Sequence, residues 1–332
     1  MQNWISFKDH SANALQALVA RAIEIKAGSE VDSLRGKILG MMFFNSSLRT
    51  RSSFEALMFR HGGHAMTLTP GQDTWNFEHR EGILMDADKA EHLKEAVRVL
   101  SRYVDALGVR SFAKLESLVD DLSEPVISAF CMYSEKPIVN LESAAEHPCQ
   151  ALADMQTLAE KFKNTGGPKG KKFVLRWLPH LRGLPMAVPH SALLAAANHG
   201  MDITIVAPQG YELAADYLAL ANQRVEQTGG SLSVSNDKSQ TLQADVVYGK
   251  SWGASIFYGK PDDQKLSLAE HRSWRLELGD LNPQTLFMHC LPLRRNLKVT
   301  DAVIDSKNSI IIDQAENRYW AQTAIMEAIF KQ

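Results

Sequence analysis

The sequence predicts an α/β protein with two domains, each a parallel sheet flanked by helices. Three observations lead there. Short apolar runs alternate with segments of helical periodicity along the chain, which is the pattern of parallel strands covered on both faces. The alternation comes in two sets, separated by a turn-rich stretch from Asn164 to Gly170. A length of 332 residues suits two domains at about 100–200 residues each.

Taken in order, residues 11–27 predict an amphipathic helix. Strands are expected at 37–44, 64–68, 105–110 and 137–141, with helices at 52–61, 89–104 and 115–134. The 89–104 segment has the clearest pattern. Asp88 and Glu91 suggest a capping box, and Leu93, Val97, Leu100 and Val104 recur at helical spacing. A helix at 149–162 leads into the turn-rich stretch. Beyond it, strands are expected at 172–178, 202–207, 231–235, 244–248, 285–289 and 309–312. Helices fit at 187–199, 212–228 and 316–330, the last opened by Glu316-Asn317-Arg318. Two such units leave a cleft between them, and open parallel sheets bind ligands at the carboxyl ends of their strands.

Composition removes several function classes. Hydrophobic residues make up 45% and the formal net charge is −2, so no general affinity for nucleic acid or membrane is expected. Three cysteines, Cys131, Cys149 and Cys290, make no disulfide framework and suit a reducing, cytoplasmic setting. The start, Met1-Gln-Asn-Trp-Ile, has no basic region leading into an apolar core, so no signal peptide is expected. No apolar run approaches the roughly 18 residues of a membrane span.

Residues 43–51, Phe-Phe-Asn-Ser-Ser-Leu-Arg-Thr-Arg, carry the strongest chemical signal. An apolar strand runs into a loop holding Ser47, Arg49, Thr50 and Arg51, and helix-compatible sequence follows. Free N–H groups and the helix dipole favour an anion there, and Arg adds bidentate bonds matched to phosphate. The bland alternative is a solvated basic loop. Arg110 ends a later strand and brings another guanidinium to the same edge, although alone it reads as a surface charge. His147 precedes Pro148 at a helix start, where a neutral imidazole donor and a simply packed His are both reasonable. Cys290, in His289-Cys-Leu-Pro-Leu-Arg-Arg295, reads as a nucleophile, a soft ligand or an inert thiol. Trp75 lies in a polar loop as an anchor or as part of an interface or ligand wall.

Metal and dinucleotide motifs are missing. His61 with His64, and His147 with Cys149, lack the spacing of a structural zinc site. The segment from Gly166 to Lys171 lacks the Walker spacing, and no Gly-x-Gly-x-x-Gly follows a strand.

Together these motifs resemble the carbamoyltransferase family, which includes the aspartate and ornithine enzymes. Ser47-Leu-Arg-Thr-Arg51 resembles its phosphate loop, His147-Pro-Cys-Gln150 its carbonyl-binding motif, and His289-Cys-Leu-Pro292 its ornithine-branch signature. Trp75, Met85-Asp-Ala-Asp88, Glu142, Lys250-Ser-Trp-Gly253, Leu293-Arg-Arg-Asn296 and Glu316-Asn-Arg318 resemble the branch acting on N-acylated ornithine. Plain ornithine enzymes typically have Ser-Met-Gly where this chain has Ser251-Trp252-Gly253.

The resemblance implies a carbamoyl-phosphate-binding domain over residues 1–150, completed by the C-terminal helix 316–332, and an amino-acid-binding domain over 151–315. It implies a homotrimer with shared active sites. It also implies a trefoil knot in the second domain, with Pro179 to Pro189 as the threaded loop. Carried over by motif, Ser47, Leu48, Arg49, Thr50, Arg110, His147, Gln150 and Arg318 hold carbamoyl phosphate, with Trp75 reaching in from a neighbouring subunit. Glu142, His180, Arg182, Lys250, Cys290, Leu291 and Arg295 hold the amino acid, and Ala90 bears on its acyl group. Lys298 matches a lysine that is carboxylated in the acetylornithine enzymes.

The implied reaction, a step of arginine biosynthesis, is attack of a neutral δ-amine on carbamoyl phosphate, with no metal or organic cofactor. Arg49, Thr50, Arg110, His147 and Cys290 form its expected catalytic set. For the acyl group, two sets of residues point to different enzymes. Lys298, the Gly229-to-Leu232 segment and the C-terminus resemble acetylornithine enzymes, which carry Glu where this chain has Ala90. His180-x-Arg182 and the spacing of Glu142 to His147 resemble succinylornithine enzymes, which have Pro there. Acetyl is the reading preferred, with succinyl as the alternative. A non-enzymatic anion-binding relative is the reading from another class, and the retained Arg49, His147 and Cys290 argue against it.

Overall fold

The structure, a computed structural model, describes residues 3–331. Its first helix, α1 (Ala12–Lys26), begins where Ser11 Oγ accepts the Ala14 N–H, as serine does at a helix start. Leu15, Val19, Ala22 and Ile25 are its buried face, at the spacing of an amphipathic helix. Next come β1 (Ile38–Phe43), α2 (Arg49–Arg60) and β2 (His64–Leu68). β3 (Asn76–Glu78) and β4 (Lys89–His92) pair on a largely exposed flap. α3 (Leu93–Tyr103), β5 (Ala106–Arg110), α4 (Leu118–Ser123), α5 (Pro125–Tyr133), β6 (Ile138–Glu142) and α6 (Pro148–Phe162) complete the first half. The sheet order is β2-β1-β5-β6, all parallel. β5 is buried at every position, as a strand covered on both faces must be.

The second half contains β7 (Lys172–Trp177), α7 (Ala187–Asn198), β8 (Asp202–Val206), α8 (Ala215–Thr228), β9 (Ser231–Ser235), β10 (Val246–Lys250), α9 (Pro261–Glu270), β11 (Leu286–Met288) and α10 (Asp301–Ile304). Its sheet order is β11-β10-β7-β8-β9, again all parallel. The final helix, α11 (Ile311–Phe330), returns to pack on α1, α2 and α6. α7 is buried at every position because it lies among α6, α8 and strands of the second sheet. A Leu194→Ala change there should cost about 2–5 kcal/mol. The α6–α7 contact joins the halves.

Each sheet has one point where the chain turns back to the other side of its first strand. These points lie between β1 and β5, and between β7 and β10. The crevice at the carboxyl end of such a pair is where parallel sheets bind ligands. The two crevices face one cleft.

Several expected elements differ. The 309–312 strand is a single isolated bridge, Phe287 to Ser309, because Ile311 already begins α11. A run of β-branched residues reads locally as strand, and helix packing overrides it. α11 therefore opens before Glu316. The 115–134 helix is two, broken at Glu124, whose φ is +49°, with Pro125 starting the second. The 89–104 helix starts only at Leu93, capped by His92 Nδ1, so Asp88 and Glu91 form no capping box. α2 begins earlier than expected, within the Arg-Thr-Arg motif itself.

Candidate active site

The polar motifs converge on a cleft of about 380 Å³. Ser47, Arg49 and Thr50 enter it from the β1–α2 turn. Ser47 Oγ accepts the Thr50 N–H at 3.2 Å, closing the turn so that the start of α2 faces the cleft. The first N–H groups of a helix lack intrahelical partners and suit an anion. Thr50 is fully buried, and its Oγ1 accepts a hydrogen bond from Arg318 Nη2 at 2.5 Å. Arg318 thus reaches the loop from the middle of α11. Burial pushes its guanidinium down to about 10, which still leaves it a cation at neutral pH. Arg49 is also shifted down by burial.

Arg110 ends β5 and lies over the Phe112 ring at 4.4 Å from its centroid. Its Nη1 donates to Glu142 Oε2 at 2.5 Å, and His147 Nε2 is 3.6 Å from the same oxygen. His147 caps the start of α6, where Pro148 holds it out of helical geometry. Its backbone N–H donates to Ser191 Oγ of α7 at 2.7 Å. Burial above all, then the charges of Arg318 and Arg110, holds the imidazole well below its ordinary 6.5. His147 is therefore a neutral hydrogen-bonding group at neutral pH.

The second half supplies His180, Arg182, Lys250, Cys290, Leu291 and Lys298. Lys250 is the last residue of β10. Cys290 follows β11 and is a free, buried thiol. Leu291 has a φ of +57°, and a non-glycine residue held there is a mark of functional sites. Lys298 is 1% exposed, and burial, then Lys250, pushes its amine down to about 7. His180 is pushed down to about 4, chiefly by burial.

Not every expected residue reaches the cleft wall. Leu48 is 77% exposed and caps α2 through its backbone position. Arg295 turns away to Asp301 and Asp305, at 2.7–2.8 Å, and Arg294 lines the cleft instead. Trp75 and Ala90 sit on the exposed flap, where Trp75 Nε1 donates to Glu91 at 2.8 Å. Trp252, one of the branch marks, is buried scaffolding with its Nε1 on the Tyr211 carbonyl.

Other groups were not singled out from sequence. Phe112, Leu184, Pro185 and Val188 form the apolar wall. Leu184, Pro185 and Val188 lie inside the Pro179–Pro189 loop, which the sequence marked only as a segment, and Phe112 follows Arg110 by two positions. Asp154 and Gln314, behind Gln150, have no local signature because a buried polar group inside a helix looks like any other.

Among the described residues, no group of three or more His, Cys, Asp or Glu is placed to hold a metal ion. No helix among them is long and apolar enough to cross a membrane.

This geometry has known counterparts. Residues 2–160 match the carbamoyl-P binding domain of aspartate/ornithine carbamoyltransferases, and 186–329 match their Asp/Orn binding domain. An N-acetylornithine carbamoyltransferase from Xanthomonas campestris pv. campestris is 43% identical over 336 residues, spanning 100% of this chain and 98% of the relative. An N-succinylornithine carbamoyltransferase from Bacteroides thetaiotaomicron is 37% identical over 322 residues, spanning 96% and 95%. The crystal structure of acetylornithine transcarbamylase with acetylcitrulline superposes with a TM-score of 0.95 at 43% identity, covering 99% of both chains. A glutamate-to-alanine mutant of N-acetyl-L-ornithine transcarbamylase, complexed with carbamyl phosphate and N-succinyl-L-norvaline, also gives 0.95 at 43%, covering 99% of this chain and 100% of that one. The chain belongs to the aspartate/ornithine carbamoyltransferase family, in the branch whose members are named for N-acylated ornithine.

Proposed function

We propose that this protein transfers the carbamoyl group of carbamoyl phosphate to the δ-amine of N-acetyl-L-ornithine, giving N-acetyl-L-citrulline and phosphate. The observation that carries this reading is the convergence of Arg49, Thr50, Arg110, Arg318 and a neutral His147 opposite Lys250 and Cys290 in one cleft. The two half-sites belong to the two sheets. Residues 1–150 with the C-terminal helix hold the phosphate, and 151–315 hold the amino acid.

The δ-amine lone pair attacks the carbonyl carbon, and charge builds on the carbonyl oxygen. Thr50, Arg110 and His147 donate to that oxygen; losing one such donor typically costs about 10²–10³ in turnover. The C–O bond to phosphate then breaks. Phosphate leaves with the electron pair and takes the amine proton, so no separate protein base is needed. Arg49 and Arg318 balance its charge. Binding both substrates in one cleft removes much of the entropic barrier.

A second reading, N-succinyl-L-ornithine, is favoured by the absence of a carboxylate at Ala90 and by Arg182 and Arg294 at the cleft. The mutant acetylornithine enzyme solved with N-succinyl-L-norvaline supports it too. A citrulline-forming assay with ornithine, acetylornithine and succinylornithine separates the readings. Turnover fastest on acetylornithine is expected; no turnover on any of them removes the assignment.

Assembly as a homotrimer is part of the proposal. Trp75 and Ala90 share a flap that does not line its own cleft, and Leu84 beside them is 80% exposed. A flap of this kind serves a neighbouring subunit's site. A trefoil knot with Pro179–Pro189 as the threaded loop is also part of the proposal, and that loop lies against the 251–253 segment. Gly253 N–H donates to Leu184 O at 2.9 Å, and Ser251 Oγ to Pro179 O at 3.4 Å. Carboxylation of Lys298 is supported by its lowered amine, since only the neutral form adds CO2. The carbamate would place an anion beside Lys250.

A further inference from the structure

We propose that Asp154 is a positioning residue that sets the amide of Gln150 as a hydrogen-bond acceptor toward the carbamoyl nitrogen and ties it to the loop holding the second substrate. The proposal rests on the carbamoyl-transfer reading and deepens it.

Asp154 lies one turn after Gln150 on α6. Its Oδ1 accepts Gln150 Nε2 at 2.8 Å and Gln314 Nε2 of α11 at 2.7 Å. A single oxygen therefore collects both amide NH2 groups. Gln314 is fixed independently, because its Oε1 accepts the His289 N–H at 2.9 Å. His289 Nδ1 in turn accepts the Leu291 N–H at 2.8 Å, just after Cys290. Gln150, Asp154, Gln314 and His289 are each at most 1% exposed, so water does not compete for these bonds.

The consequence follows from what an amide can do. A glutamine has donors on one side and an acceptor on the other. With its NH2 directed inward to Asp154, Gln150 turns its carbonyl oxygen to the cleft it lines. An acceptor at that place recognises an N–H. Carbamoyl phosphate has one there, whereas acetyl phosphate has a methyl group of similar size. A buried acceptor left unpaired costs about 1–3 kcal/mol, so such an analogue is rejected by about ten- to hundredfold. The same oxygen links that choice to β11, because Gln314 carries the connection to the Cys290–Leu291 turn.

The test compares carbamoyl phosphate, acetyl phosphate and inorganic phosphate by calorimetry on the full-length protein. Wild type should prefer carbamoyl over acetyl phosphate at least tenfold. Asp154→Leu has no acceptor, so the Gln150 amide is free to rotate, and the preference should collapse towards unity with inorganic phosphate binding unchanged. Asp154→Asn keeps an oxygen and should restore most of the preference. A folded Asp154→Leu with the wild-type preference overturns the proposal. Should that variant not fold, Gln314→Met tests the other arm. It leaves the preference intact and raises KM for acetylornithine at least tenfold, and an unchanged KM overturns the link. If wild type itself shows no preference, the proposal fails, whereas the carbamoyl-transfer reading fails only if the citrulline-forming assay shows no turnover.

Discussion

Arg110 Nη1 and Glu142 Oε2 meet 2.5 Å apart at the ends of neighbouring strands, and His147 shares the same carboxylate oxygen at 3.6 Å. Both members of the pair are nearly buried, so each depends on the other for charge compensation. Under the proposed function, carbamoyl phosphate would bring its own negative charge to this corner and compete with Glu142 for Arg110. Glu142→Gln keeps a hydrogen-bonding side chain and removes the competing charge. Its Kd for carbamoyl phosphate should fall severalfold, while KM for the amino-acid substrate rises at least tenfold. Calorimetry and steady-state rates measure the two. Weaker carbamoyl phosphate binding in the variant would remove this role for Glu142.

The phosphate loop and the flap should be separable genetically. Arg49→Ala removes a cation from the cleft and should lower turnover by orders of magnitude with the fold intact, because Arg49 stands at a helix start rather than in the core. Trp75→Ala should also be nearly inactive if Trp75 serves a neighbour's cleft. Co-refolding the two variants then pairs an intact cleft from one with an intact flap from the other. Activity should return to roughly a quarter of wild type, the share of sites so paired by random mixing in a cyclic trimer. No recovery on mixing would place Trp75 outside the shared site.

The phosphate loop was readable because its signal is local: a strand end, hydroxyls and guanidiniums within a few residues. The parallel sheets were readable because buried strands are continuous apolar runs, as in β5. α9 was not, because only Gln264 and Leu268 of its residues are buried, leaving no apolar stripe. Arg294 and Arg295 are adjacent and chemically identical in sequence. What separates them is Asp301 and Asp305, which capture Arg295 through tertiary contact. Gln314 was silent because its partners, Asp154 and His289, reach it only through the fold, and Asp154 because a carboxylate one turn from a glutamine on a helix carries no signal of its own.

Ala90 offers a test of acyl choice. It leaves the flap without a carboxylate at a position where acetylornithine enzymes carry one. Ala90→Glu adds a negative charge that, in the proposed shared site, would face a succinyl carboxylate, and like charges about 4 Å apart repel by about 1 kcal/mol in water and about 4 near a protein surface. The variant should lose at least tenfold in kcat/KM for succinylornithine and change by less than threefold for acetylornithine. Equal losses on both substrates would show that position 90 does not read the acyl group.

Lys298 makes a prediction about stability and pH. Burial, then the nearby Lys250, holds its amine at about 7 in the fold, against an ordinary value of 10.5. Between those two values the unfolded chain holds a proton that the folded chain has released. Stability therefore rises as pH climbs through that window and is lost as pH falls back toward 7. Below 7 both states are protonated and this dependence ends. The slope from one such group is at most about 1.4 kcal/mol per pH unit. Lys298→Met removes the group, so in carbonate-free buffer its urea midpoint should depend on pH less steeply than wild type across the window. Adding bicarbonate should then raise the midpoint of wild type alone, because CO2 draws on the neutral amine. Parallel slopes for the two proteins would mean that the fold does not disfavour the Lys298 ammonium, and the basis for its carboxylation would go with it.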